Sequence, residues 1–176
     1  MESNPRFCRI LLTAALLLLA LTGFAQAEQL KVVSVSDGDT FTGLDSQNRQ
    51  VKVRLHGIDA PEKAQAFGTV SRKALGDLIE GKVVNVQEVD KDRYGRVVAN
   101  VHVGGTHVNR EQVPKGLAWR YVQYDKKGEF TEVEQAAKTT RKGLWADVKP
   151  VPPWEWRKGE KERKAAKKGA GVDGGR

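Results

Sequence analysis

Carboxylates and guanidinium groups crowd into three short segments of this 176-residue chain. The first is Asp37-Gly38-Asp39-Thr40, the second runs Arg54-Leu55-His56-Gly57-Ile58-Asp59-Ala60-Pro61-Glu62, and the third is Asp92-Arg93-Tyr94-Gly95-Arg96. Each alone has a structural explanation. Asp-Gly-Asp is turn chemistry, Asp59 can cap a helix with Pro61 and Glu62 in its first turn, and the third segment can be a solvated hairpin. Together they form a set with a chemical use. Asp39 and Asp59, with the backbone carbonyl of Ala60 and water, offer the all-oxygen shell that a hard cation such as calcium takes. Glu62 can serve as general base on a water. Arg54 and Arg96 carry the fork that fits phosphoryl oxygens and stay charged at any working pH. A base, two fixed cations and a metal site are what phosphodiester hydrolysis needs, with no His or Cys required.

The elements that must position these residues can be read from periodicity. Alternation over 29–36, 40–44 and 50–56 predicts three strands. In the third, Val51, Val53 and Leu55 lie on one face, with Lys52, Arg54 and His56 on the other. Asp45-Ser46-Gln47-Asn48 predicts a hairpin between the last two. The period then becomes helical at Ala66, Val70, Ala74 or Leu75, and Leu78, closed by Gly81. Strands over 83–89 and 97–103 follow, a short helix over 108–115, a mixed stretch over 117–124, and a helix over 129–142. Five strands with about three packed helices predict a mainly β fold, a five-stranded OB-fold barrel.

Residues 1–27 have the layout of a secretory signal peptide: Arg6 and Arg9, an apolar stretch over 10–21 too short to span a bilayer, and Ala25-Gln26-Ala27 as a cleavage site. Export to the periplasm or the extracellular medium is therefore expected, with no stable membrane association after cleavage. The single cysteine, Cys8, falls in that leader, so a thiol nucleophile, a thiolate-bound metal and a disulfide are excluded beyond it. The net charge of +8 points to a polyanionic partner. The barrel is expected over 28–149. Residues 150–176 read as a stiff Pro/Trp segment followed, beyond Lys158, by a disordered basic tail. Nothing suggests more than a monomer.

The ordered strings Asp-Gly-Asp-Thr, Arg-x-x-x-x-Asp-x-Pro-Glu and Asp-x-Tyr-Gly-Arg resemble the thermonuclease (staphylococcal nuclease-like) family. So do Gly116-Leu117-Ala118-Trp119 and Gly143-Leu144-Trp145. The resemblance runs from about residue 32 to residue 145. It implies an OB-fold, one calcium ion, and hydrolysis of DNA and RNA that leaves 3′-phosphates. It makes Asp39 and Asp59 calcium ligands, Arg54 and Arg96 the transition-state arginines, and Glu62 the general base. Tyr94 would lie beside the nucleotide phosphate. Trp119, Tyr121 and Tyr124 fall where the family stacks bases, with Tyr121 and Tyr124 expected to bind substrate and Trp119 to be core. Ala60 stands where the family prototype has Thr, which a backbone contact tolerates.

A catalytically silent OB-fold that only binds nucleic acid is the alternative. It has no need of both carboxylates, Glu62 and both arginines at once, and all five are present. A structural envelope protein would explain the basic charge but not the acidic cluster. His56, His102 and His107 lack zinc-motif spacing and are expected to be solvated or locally hydrogen-bonded.

Overall fold

The computed structural model describes residues 27–170. The expected leader falls almost wholly on residues outside that range. Among the described residues no helix is long and apolar enough to cross a membrane.

The strands are β1 (Glu28–Val35), β2 (Thr40–Leu44), β3 (Gln50–Leu55), β4 (Ile58–Asp59), β5 (Val83–Lys91), β6 (Val97–Val103), β7 (Thr106–His107) and β8 (Trp119–Arg120). The helices are α1 (Gly68–Ile79), α2 (Val108–Gln112), α3 (Thr131–Thr139) and α4 (Pro153–Ala170), with a 3-10 turn at Gly143–Ala146. The main sheet runs β3-β2-β1-β5-β6-β7, and a parallel pairing of β3 with β6 joins its ends. The result is a closed five-stranded barrel of the expected OB type.

Alternation explains most of the barrel. Val53 and Leu55 of β3 face inward, fully buried, and Arg54 between them faces out. In β1 the buried set is Leu30, Val32 and Val35, which is not a strict period of two. A register shift between Val32 and Ser34 supplies the missing step, as a bulge does. Leu75 and Ile79 of α1 are fully buried in the same core cluster as Phe41, Val84 and Val101.

Buried polar side chains fasten the site-bearing turns to this frame. Gln112 Nε2 of α2 donates to the Gly38 and Ser71 carbonyls at 2.9 and 3.1 Å. Asn109 Nδ2 donates to the His56 and Ala99 carbonyls, both at 3.0 Å. Each is a satisfied buried amide, costly to remove because its partners would be left unpaired. Two glycines allow close approach. A Cβ at Gly38 would overlap the Ser71 side chain and Ala60, and a Cβ at Gly68 would collide with the Glu62 carbonyl.

Three expectations need correction. The helix expected over 108–115 is one short turn, ending at Gln112. The helix expected over 129–142 is confined to Thr131–Thr139. Asp125 sets its start by accepting the Glu129 and Phe130 amides, and the left-handed φ of 49° at Arg141 follows its end. The largest difference is at the C-terminus. Instead of disorder beyond Lys158, α4 continues to Ala170. Lys, Glu, Arg and Ala are strong helix formers, Glu160 pairs with Arg163 and Lys164 along the helix, and the first turn is docked on the barrel.

Candidate active site

Arg54 is the centre of the constellation. Its outward position on β3, opposite Thr40 of β2, places it between the two aspartates. Nη1 donates to Asp39 Oδ1 at 2.7 Å and Nη2 to Asp59 Oδ1 at 2.8 Å. Asp39 and Asp59 are almost completely buried, and the Arg54 side chain is 15% exposed. Burial opposes the Arg54 charge, but the two carboxylates outweigh it and hold the guanidinium above its ordinary value.

The aspartates are locked from several sides. Asp39 Oδ2 accepts the Ala60 amide at 2.8 Å, and Oδ1 also accepts the Thr40 hydroxyl at 2.8 Å. Asp59 lies in β4, which pairs with β8 so that Asp59 faces Trp119. Burial raises the Asp59 carboxyl above its usual range; Arg157 and Arg54 pull it down, while Asp39 pushes it up. Asp37, whose Oδ1 accepts the Asp39 amide at 3.0 Å, is pushed up to about 7 by burial and by Asp39. Crowded, partly desolvated carboxylates of this kind are what a cation relieves.

The remaining expected residues line the same open pocket of about 940 Å³. Glu62 is half-buried at its rim. Arg96 is held by Asp92, Nε to Oδ2 at 2.6 Å, with Nη1 reaching the Thr40 hydroxyl at 3.5 Å. Tyr94 is exposed, and the Arg93 and Arg96 guanidiniums lie 5.6 and 5.7 Å from its ring centre. Tyr121 and Tyr124 meet edge-on at 4.8 Å on the opposite wall. One face of Tyr121 is already stacked on Trp154, at 5.4 Å with an interplanar angle of 5°. Trp119, expected in the core, is partly buried and packs against a small cluster outside the barrel core, edge-on to Trp145 at 4.3 Å.

Among the described residues no three His, Cys, Asp or Glu side chains form a metal-holding group. His102 and His107 stack on each other at 4.7 Å, with His107 Nδ1 3.4 Å from Glu129. His56 is half-buried in the pocket lining with an unpartnered Nδ1, so its expected local hydrogen bond is not made there.

One residue escaped the sequence reading. Arg157, in the second turn of α4, enters the pocket and donates to Asp59 and Glu62. The only hint was its place in the aromatic run Trp154-Glu155-Trp156.

The sequence profile described as Staphylococcal nuclease homologue matches residues 52–147. The chain belongs to the staphylococcal nuclease homologue family. The matched stretch carries Arg54, Asp59, Glu62 and Arg96, while Asp39 precedes it. An uncharacterized endonuclease of Haemophilus influenzae is 43% identical over 155 residues, covering 87% of each chain. One of Escherichia coli is 42% identical over 128 residues, covering 72% of this chain and 83% of that protein. A staphylococcal-like nuclease of Arabidopsis thaliana is 36% identical over 143 residues, covering 78% of this chain but only 44% of its own length. Membership in the staphylococcal nuclease homologue family makes this protein a nuclease, a hydrolase acting on nucleic acid. The closed barrel agrees with that family.

Proposed function

We propose that this protein is an exported, monomeric, calcium-dependent nuclease that hydrolyses DNA and RNA and leaves 3′-phosphates. The observation that carries the reading is the Arg54 bridge between the buried Asp39 and Asp59 at 2.7 and 2.8 Å, in one pocket with Glu62 and Arg96. A binding-only barrel has no use for two desolvated aspartates held beside a general base.

The donor set fits a hard divalent cation. It is all oxygen, burial and then the charge of Asp39 raise Asp37 and Asp59, and it is flanked by the backbone of the 57–62 loop. Asp39, Asp59 and the backbone at Ala60 would hold the ion, with water completing the shell. Calcium bound there supplies positive charge beside the phosphoryl oxygens and favours ionisation of a neighbouring water. The chain's own residues do the rest. Arg54, from β3, and Arg96, from the turn between β5 and β6, both line the pocket and can fork onto the non-bridging oxygens as charge builds on them. Glu62 takes the proton of the attacking water. Tyr94 borders the phosphate-facing side, and the exposed Tyr124, packed beside Tyr121, offers stacking surface to bases of any identity. The leader supports export.

The products test this reading. A 5′-labelled oligonucleotide cut in calcium should give fragments whose gel mobility changes on treatment with a 3′-phosphatase. Fragments bearing 3′-hydroxyls would refute the proposed direction of bond breaking.

A further inference from the structure

The last helix brings a further guanidinium, that of Arg157, into a pocket already lined by Arg54, Arg93 and Arg96. Its placement is built into the fold. Gln65 Nε2 donates to the Val151 carbonyl at 2.6 Å, just before the helix starts. Trp154 lies parallel to Tyr121 and edge-on to Trp119 at 5.7 Å. Trp156 shares a small cavity with Phe67 and Leu144. These contacts bracket the loop that carries Asp59 and Glu62, and from them Arg157 reaches both. Nη2 donates to Asp59 Oδ2 at 2.7 Å, and Nη1 is shared between Asp59 Oδ1 at 3.1 Å and Glu62 Oε1 at 2.8 Å. The Asp59 side chain is fully buried, whereas that of Arg157 is 41% exposed, so the fork can leave Asp59 without unfolding the helix.

We propose that Arg157 is a positioning residue of the nuclease site, which holds the Glu62 carboxylate and acts as counter-charge on Asp59 until a divalent cation takes that carboxylate. The inference rests on the roles proposed above for Asp59 and Glu62. Two effects of opposite sign follow. A guanidinium within hydrogen-bond distance of Asp59 repels an incoming cation and competes for the same oxygens, so the native chain binds calcium more weakly than one lacking it. The Glu62 side chain has three rotatable bonds, and its ion pair restricts them. Without that restraint turnover falls while substrate binding persists. A residue that merely anchored the helix would lower the melting temperature and would not tighten calcium binding.

The test compares the chain from Glu28 to its C-terminus as wild type, Arg157→Gln and Arg157→Lys. Calcium is titrated by calorimetry without substrate, and cleavage of denatured DNA is measured at saturating calcium. Arg157→Gln should bind calcium about fivefold more tightly and lose about tenfold in kcat, with KM within about twofold. Arg157→Lys should return calcium affinity towards wild type, since the charge is kept. It should recover only part of kcat, because an ammonium lacks the fork that spans both carboxylates. Calcium affinity and kcat both unchanged in Arg157→Gln, or calcium binding weakened, would overturn the proposal. If that variant does not fold, Arg157→Lys decides: reduced kcat with near-native calcium affinity supports the proposal, and native kcat overturns it. A wild-type chain that neither binds calcium nor cleaves would instead remove the nuclease reading beneath it.

Discussion

Arg54 and Asp39 form a buried ion pair, Nη1 to Oδ1 at 2.7 Å, and the same guanidinium spans to Asp59 through its other nitrogen. The pair is fixed by secondary structure: Thr40 sits opposite Arg54 in the β2–β3 ladder, so Asp39 is one residue from the register position of its partner. Arg54→Ala should lose cleavage by about 10³-fold or more, since the proposed clamp relies on its fixed positive charge to stabilise the developing phosphoryl charge. It should also lower stability in chelator by up to about 3 kcal/mol, with Arg157 still covering Asp59. A variant with near-native turnover would remove Arg54 from the phosphate clamp.

Glu62 is half-buried in the pocket lining, where its Oε1 accepts from Arg157 Nη1 at 2.8 Å. Glu62→Gln keeps its size and removes its basicity. We expect kcat to fall by about 10² to 10⁴-fold with calcium affinity largely retained. Parallel loss of calcium binding by calorimetry would make Glu62 a metal ligand instead.

Asp37 gives the metal-free protein an unusual pH response. Burial and Asp39 push its carboxyl up to about 7, against an unfolded value near 3.8. Between those values the folded state holds a proton that the unfolded state has released. The contribution of Asp37 is thus fully present below about pH 4 and is lost as pH rises through 7. Asp59 shifts in the same direction. In EGTA the melting temperature should decline between pH 4 and 7, and Asp37→Asn should flatten that decline. Calcium should flatten it too, because a bound cation favours the ionised carboxylates. A melting temperature in EGTA that climbs over this range, identically in Asp37→Asn, would contradict the assignment.

Gly68 controls the Glu62 loop from behind. A Cβ there would meet the Glu62 carbonyl, so Gly68→Ala must displace the backbone that presents the base. The expected cost is about 1–3 kcal/mol, with kcat reduced more than calcium affinity. Unfolding midpoints and kcat both at wild-type levels would show that the loop can relax.

The legibility of this molecule follows its physics. Strand β3 was plain in the sequence because one of its faces is buried and the other is not, so Val53 and Leu55 alternate with Arg54. The same alternation places Arg54 outward. Strand β1 was blurred because its bulge changes the phase between Val32 and Val35. Periodicity overruns helix α3 because its ends are set by Asp125 and by the turn at Arg141, tertiary and backbone facts invisible to periodicity. Arg157 was missed for a similar reason. Lys-, Glu- and Ala-rich composition describes both a solvated tail and an exposed helix. What decides between them is the docking of Trp154 on Tyr121 and of Trp156 beside Phe67, contacts between segments distant in sequence.

The central claim is that Asp39 and Asp59 hold a calcium ion on which cleavage depends. Its most direct test is the release of acid-soluble nucleotides from denatured DNA by the chain from Glu28 onward, in calcium and then in excess EGTA. Release in calcium that stops in EGTA and returns when calcium is restored is the predicted result. Equal release under both conditions, or none from a protein shown to be folded, would contradict it.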